Sequence, residues 1–254
     1  MTTDLTLVVT AHDETVVSGP TMTSADRAVE VAEAAGWSVQ RVIALDAATE
    51  HTRAFFEQSA FDHWERWHLE EADLGRVRNA LLPRTDGRFI AYLDADDLFS
   101  ENWLAEAVET LDAAERRGER LIAHPELNVI FDGARTVLVN IGQDSPLFTP
   151  HYLYFRHYYD SLCMAPREAH LEVPYVSRDV PNGLSYQDFQ FTVETMDAGW
   201  WHVAVPDTII FKRRRDFSLV TESNARKSVL RAIPAMAIDR VRELGRRRSG
   251  PAGA

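Results

Sequence analysis

Short apolar runs alternate with helix-patterned segments along this chain, and that alternation dictates its class of fold. Residues 5–10 (LTLVVT) read as a strand. Ser24 stands where it can cap a helix running through Ala35, with Ala28, Val31, Ala32 and Ala35 at helical spacing and Gly36 as its stop. Residues 39–45 read as the next strand. Helices follow from about Thr52 and over 74–82, then a strand over 89–93 and a long helix capped by Ser100 and ending near Gly118. Residues 127–131 and 136–140 read as paired strands, 187–198 as a helix stopped by Gly199, and 202–205 and 209–212 as two further strands. Such alternation predicts an α/β, Rossmann-like fold: a mostly parallel mixed sheet flanked by helices on both faces. With 254 residues, 45% of them hydrophobic, the chain can bury one substantial core.

Composition excludes several classes. The apolar runs fall far short of the ~20 residues a bilayer-spanning helix needs, and the first residues carry no secretion-signal pattern, so the expected location is cytoplasmic. Cys163 is the only cysteine, which excludes an internal disulfide and a thiolate zinc site. The net charge of −12 argues against nucleic-acid binding, which rests on Lys and Arg neutralising phosphates. Charge is unevenly spread: residues 226–248 hold eight basic side chains against two acids, Asp239 and Glu243. A basic helix interrupted at Pro234 is expected there, suited to peripheral contact with an anionic membrane, or else a solvated helix face. Residues 249–254 are expected to be disordered.

The chemistry concentrates in FIAYLDADDL, residues 89–98, where a buried-type strand runs directly into Asp94, Asp96 and Asp97. A parallel strand delivers such acids to the carboxyl end of the sheet, where α/β proteins bind ligands. Three carboxylates within four residues repel one another and call for a counter-ion; hard divalent cations, Mn²⁺ or Mg²⁺, prefer oxygen ligands and are often shared with substrate phosphates. Taken alone, the acids also fit a solvated helix start.

Four segments in order make the chain resemble family 2 of the inverting glycosyltransferases, with the GT-A fold. TAHDE (10–14) follows the first strand as that family's first donor-binding loop does. VIALDAATEHT (42–52) resembles its second loop, normally DDGSTDGT, with Asp46 at the aspartate that meets the base and Leu45 in place of the preceding aspartate. LGRVRN (74–79) is similar to its glycine-to-Arg-Asn segment, and the acidic cluster comes next. In the second half SYQDFQF (185–191) resembles the segment whose aspartate is the general base, with Gln187 replacing a glutamate. KRRRDFS (212–218) stands where a basic flap contacts the diphosphate, with Arg215 where a histidine is common near Ser218.

The resemblance implies a donor-binding half (1–120), an acceptor and catalytic half (121–222), a basic C-terminal segment (223–248) and a tail (249–254). It implies a nucleoside diphosphate sugar as donor, with a lean to uridine, and a glycan, lipid-linked or small-molecule hydroxyl as acceptor. Thr10, Glu14, Asp46, Arg78, Asp94 and Arg213 would bind the nucleotide-sugar. Asp96 would hold Mn²⁺ or Mg²⁺, an ion that would neutralise the departing diphosphate. Asp188 would take the proton of the acceptor hydroxyl. Two other classes stay open: a phosphatase or phosphotransferase of the haloacid-dehalogenase type, which also places Asp-x-Asp after a strand, and a non-catalytic nucleotide-sugar or glycan-binding module. The aromatic residues 152–159 and Trp200 and Trp201 fit packing at least as well as a sugar cleft.

Overall fold

The computed structural model describes residues 3–214 and 225–247. Its centre is a nine-stranded sheet. The strands are β1 (Thr3–Ala11), β2 (Val39–Asp46), β3 (Glu65–Leu69), β4 (Gly87–Asp94), β5 (Leu98–Phe99), β6 (Leu121–Asp132), β7 (Thr136–Val139), β8 (Met164–Pro166) and β9 (Trp201–Arg214). They lie in the order β3-β2-β1-β4-β8-β6-β9-β5, with β7 pairing the far end of β6. The pairs β1–β2, β1–β4, β2–β3 and β6–β9 are parallel, whereas β8, β5 and β7 pair antiparallel. The expected mostly parallel mixed sheet is therefore what forms. Helices α1 (Ser18–Ala34), α2 (Glu50–Phe56), α3 (Leu74–Leu81), α4 (Trp103–Arg116), α5 (Arg167–Glu172) and α6 (Gln187–Asp197) flank it.

β1 sits centrally, and Leu5, Leu7, Val8 and Val9 are all fully buried. A strand covered on both faces cannot alternate apolar with polar, which is why it reads as a continuous apolar run. Each such side chain contributes about 1.5–3 kcal/mol on burial.

Several boundaries differ from the sequence reading. α1 starts at Ser18, a turn and a half before Ser24, whose hydroxyl donates to the Thr21 carbonyl instead of capping. Gly36 ends that helix region with φ +96, a conformation that favours glycine. Ser100 does not cap α4 through its side chain; its Oγ accepts the Ile209 N–H at 3.0 Å, tying β5 to β9. The two strands expected at 202–205 and 209–212 are one long strand. An irregularity opposite Pro125 and Leu127 bends it, with Asp207 at φ +58 and its N–H donated to Glu126 Oε2 at 2.7 Å.

The basic C-terminal stretch is not an α-helix where it is described. It forms two 3₁₀ turns, Pro234–Met236 and Val241–Gly245, and buries Ile233, Ala235, Val241 and Leu244 against Leu153, Tyr159, Val193 and Met196. Pro234 removes a donor and blocks a continuous helix. Two arginines there face the body: Arg240 pairs with Asp197 and Arg247 with Glu119. The expectations for Arg215, Ser218, Arg248 and the tail 249–254 lie outside the described residues. Among the described residues no helix is long and apolar enough to cross a membrane.

Candidate active site

Parallel pairing brings the first site residues to one edge of the sheet. Thr10 on β1 is in register with Asp94 on β4, and Asp46 ends the neighbouring β2. The Thr10 hydroxyl donates to Asp94 Oδ1 at 3.1 Å, and its carbonyl accepts the Ala95 N–H at 2.9 Å, closing the strand end into the acidic turn. Glu14 folds back on its own loop, accepting the N–H groups of His12 (2.8 Å) and Asp13 (3.1 Å). Asp46 pins the loop before α3: its Oδ1 accepts the Glu71 N–H at 2.7 Å.

Arg78, expected to bind the nucleotide-sugar, is buried rather than open to a ligand. It is 1% exposed, sandwiched between the rings of Tyr92 and Tyr175 at 4.7 and 4.9 Å from their centroids. Its guanidinium nitrogens make no hydrogen bond with the described residues. Burial opposes its charge, but the electrostatic attraction of Tyr175, Asp94 and Tyr92 outweighs that and holds its pKa above the usual value. Asn79 locks the cage, donating to the Tyr175 carbonyl at 2.7 Å and accepting the Tyr175 N–H at 2.9 Å. Gly75 is required there, since a Cβ would meet the Val176 carbonyl oxygen at 2.5 Å.

The acidic turn is organised around a lysine that sequence reasoning did not single out as its centre. Lys212 on β9 brings Nζ to 2.8 Å from Asp97 Oδ2, 3.1 Å from Asp160 Oδ1 and 3.3 Å from Asp94 Oδ2. Burial alone would lower the lysine's pKa; the charges of Asp160, Asp97 and Asp94 reverse the direction and keep the ammonium well above its ordinary value. Asp97 is 1% exposed, and burial pushes its carboxyl up to about 7 against the pull of Lys212. Asp160 goes the other way: Lys212 outweighs burial and holds it below the usual carboxylate range. Arg213 borders this hub. Its N–H donates to Asp97 Oδ1 at 2.8 Å, and its guanidinium donates to the Asp96 carbonyl (3.3 Å) and to Asp132 (2.8 Å).

These contacts decide how a metal fits. Two of the three acids of the turn already share an ammonium with Asp160, and among the described residues no group of three His, Cys, Asp or Glu side chains is arranged to hold a metal ion. The site therefore does not fit a divalent ion held by the protein alone. Asp96, 9% exposed, is the carboxylate of the turn outside the lysine hub.

Asp188 lies in the first turn of α6 with its side chain 34% exposed. Its Oδ2 is 3.9 Å from His157 Nδ1, while His157 Nε2 lies 3.0 Å from the Thr192 hydroxyl and the ring stacks on Phe189. Since Asp160 follows three residues after His157, one loop touches both Asp188 and the Lys212 hub. Gln187 is buried. Much of the aromatic cluster packs rather than lining open space: Tyr159 is buried and stacks on His124 at 3.8 Å, and Tyr152 and Phe148 pack on Tyr158. Trp200 is buried under Arg120.

Comparison with known proteins defines the fold. The chain superposes on TarS 1-349 from S. aureus in complex with UDP-GlcNAc with a TM-score of 0.56 at 14% identity, covering 85% of this chain and 60% of that one. For a mannosyltransferase, PcManGT from Pyrobaculum calidifontis with GDP-Man and Mn²⁺, the TM-score is 0.54 at 13% identity, covering 84% and 57%. For GalNAc-T7 with UDP, GalNAc and Mn²⁺ it is 0.57 at 15%, covering 84% and 44%. No curated protein matches. The fold is thus the GT-A glycosyltransferase fold, although the chain spans only about 60% of the TarS fragment. More narrowly, residues 26–119 match the family model described as Glycosyl transferase family 2. That segment runs from α1 to the loop after α4 and takes in the second loop, Arg78 and the acidic turn.

Proposed function

We propose that the chain is an inverting glycosyltransferase that moves a hexosyl group from a nucleoside diphosphate sugar, with uridine as the favoured base, to a hydroxyl of a glycan, lipid-linked or small-molecule acceptor. The observation that carries this reading is the convergence of Thr10, Asp94 and the acidic turn at the carboxyl end of the sheet, joined through loop 157–160 to Asp188 on the acceptor side. The donor half is 1–120 and the acceptor half 121–222.

In this reading Asp46, with the loop it pins, and Thr10 and Glu14 frame the nucleoside. Arg78, whose charge is felt at Asp94, lends positive potential to the donor pocket. Arg213 adds donors toward the diphosphate. A divalent ion, Mn²⁺ or Mg²⁺, would arrive with the donor's diphosphate, and Asp96 would hold it, since such ions are commonly bound by one or two carboxylates plus phosphate oxygens. Asp188, at a helix N-terminus where a carboxylate is stabilised, takes the acceptor's proton as its oxygen attacks the anomeric carbon opposite the leaving group, which inverts the configuration. The test is calorimetric titration of nucleoside diphosphates and their sugars, followed by product stereochemistry with whichever donor binds. Absence of binding by every nucleoside diphosphate tested, with and without Mn²⁺, removes this reading.

A further inference from the structure

The strongest unassigned feature is the seat of Lys212. Its ammonium contacts one carboxylate from the end of β4, one from the turn after it and one, Asp160, from the acceptor-side loop. The resemblance implies a metal ion at the neighbouring Asp96, whereas among these three carboxylates a compact cation already stands. The side chain is 19% exposed and arrives from a strand, so its position is set by the β6–β9 register rather than by a loop.

We infer that Lys212 is the resident cation of this acidic hub, and that it bars a bare divalent ion so that metal enters the site only together with a nucleoside diphosphate. The inference rests on the donor-site reading above. The ammonium, 2.8–3.3 Å from all three carboxylates, occupies the position a divalent ion would take among them, and like charges at contact distance repel. A metal–diphosphate complex brings its own negative charge and its own oxygen ligands, and needs only Asp96 at the rim of the hub. Lys212 also ties Asp160 to Asp94 and Asp97, which couples the acceptor-side loop to the donor side through one side chain.

The experiment measures binding of Mn²⁺ alone, from the loss of the free-ion electron paramagnetic resonance signal, to the full chain and to Lys212→Met, each with and without uridine diphosphate. The wild type is expected to take up no Mn²⁺ until the nucleotide is added. Lys212→Met is expected to bind Mn²⁺ without nucleotide, roughly tenfold or more tightly than the wild type, and adding Asp160→Asn to it is expected to weaken that binding. Wild-type uptake of Mn²⁺ without nucleotide, or no uptake by a folded Lys212→Met, overturns the inference. Should Lys212→Met fold only when Mn²⁺ is present, the ion has replaced the ammonium and the inference stands. Should it fold in neither condition, Lys212→Gln is measured in its place, and lack of uptake there overturns the inference. The nucleotide-free arms bear on Lys212 alone. Failure of uridine diphosphate to bind any form bears instead on the proposed function.

Discussion

Asn79 and Tyr175 exchange two hydrogen bonds, side-chain amide to backbone in both directions, across 96 residues of sequence. The pair fastens α3 to the 175–178 segment, and Asp73 adds a third tie by accepting the Arg178 N–H at 3.0 Å. Between them lies Arg78, whose charge is tolerated because aromatic faces replace water. Asn79→Ala removes both bonds and is expected to destabilise the fold by about 2 kcal/mol, at roughly 1 kcal/mol per bond. Urea unfolding measures it. A loss near zero means that the cage is held by ring packing and not by the amide.

Placing Asp96 outside the lysine hub separates its role from those of Asp94 and Asp97. Uridine diphosphate is expected to bind more tightly with Mn²⁺ than in excess chelator. Asp96→Ala is expected to abolish that difference while leaving metal-free affinity nearly unchanged. Titration calorimetry in the two buffers decides the matter. Equal wild-type affinity in both would show that the ion plays no part in donor binding.

What was legible in the sequence followed from local pattern. β1, β2 and β4 declared themselves because both faces of a central parallel strand are apolar. β3 did not: its Glu65, Arg66 and His68 surround a single buried residue, Trp67, as befits an edge strand. β5 and β8, two and three residues long, are strands only because of their partners. The site divides in the same way. Asp94, Asp96 and Asp97 stand together in sequence and were found together. Asp160 and Lys212 are 52 residues apart and come within 3.1 Å only through the sheet and the acceptor-side loop, which no local periodicity records. The basic residues 212–214 were visible as a charge run, but which of them turns inward depends on strand parity and register: Lys212 meets the acids, while Arg213 stacks on Phe131.

Burial of histidines sets an acid limit on the fold. His170 is enclosed by Tyr92, Tyr175 and Phe191, and burial, with Arg78 nearby, pushes its pKa down from 6.5 to about 3. Its folded-state pKa is depressed, so below 6.5 the unfolded chain takes up a proton that the folded one refuses. The stability present above that value is therefore lost as pH falls toward 3, at about 1.4 kcal/mol per pH unit for one proton. His202 is pushed down to about 3 as well, again chiefly by burial, and adds in the same direction. His170→Phe suits the surrounding rings and is expected to reduce the pH slope of unfolding free energy between about pH 6 and pH 4 by one proton. Parallel curves for variant and wild type would mean that His170 takes up its proton in the folded state.

In the proposed reaction Asp188 is the proton acceptor, and its surroundings favour it over the other acids of the acceptor half. Glu194 accepts a hydrogen bond from Gln190 at 2.7 Å, and Asp179 is occupied by Asn182 at 2.9 Å. Asp188 sits in the first turn of α6, a third exposed and 3.9 Å from a histidine whose other nitrogen is engaged by Thr192. Asp188→Asn keeps the shape and removes the basicity. It is expected to lower single-turnover transfer by ~10²- to 10⁴-fold, the usual range for loss of a general base, with donor affinity nearly intact because the residue stands across loop 157–160 from the Lys212 hub. His157→Gln is expected to cost less, since it leaves the carboxylate in place and removes only the ring that flanks it. The two variants are compared under single-turnover conditions alongside calorimetry of the donor. Wild-type turnover in Asp188→Asn would make that carboxylate a helix-terminal acid only and move the search for the base to Glu194 or Asp179. Equal loss of turnover and donor affinity in that variant would instead place Asp188 in the donor pocket.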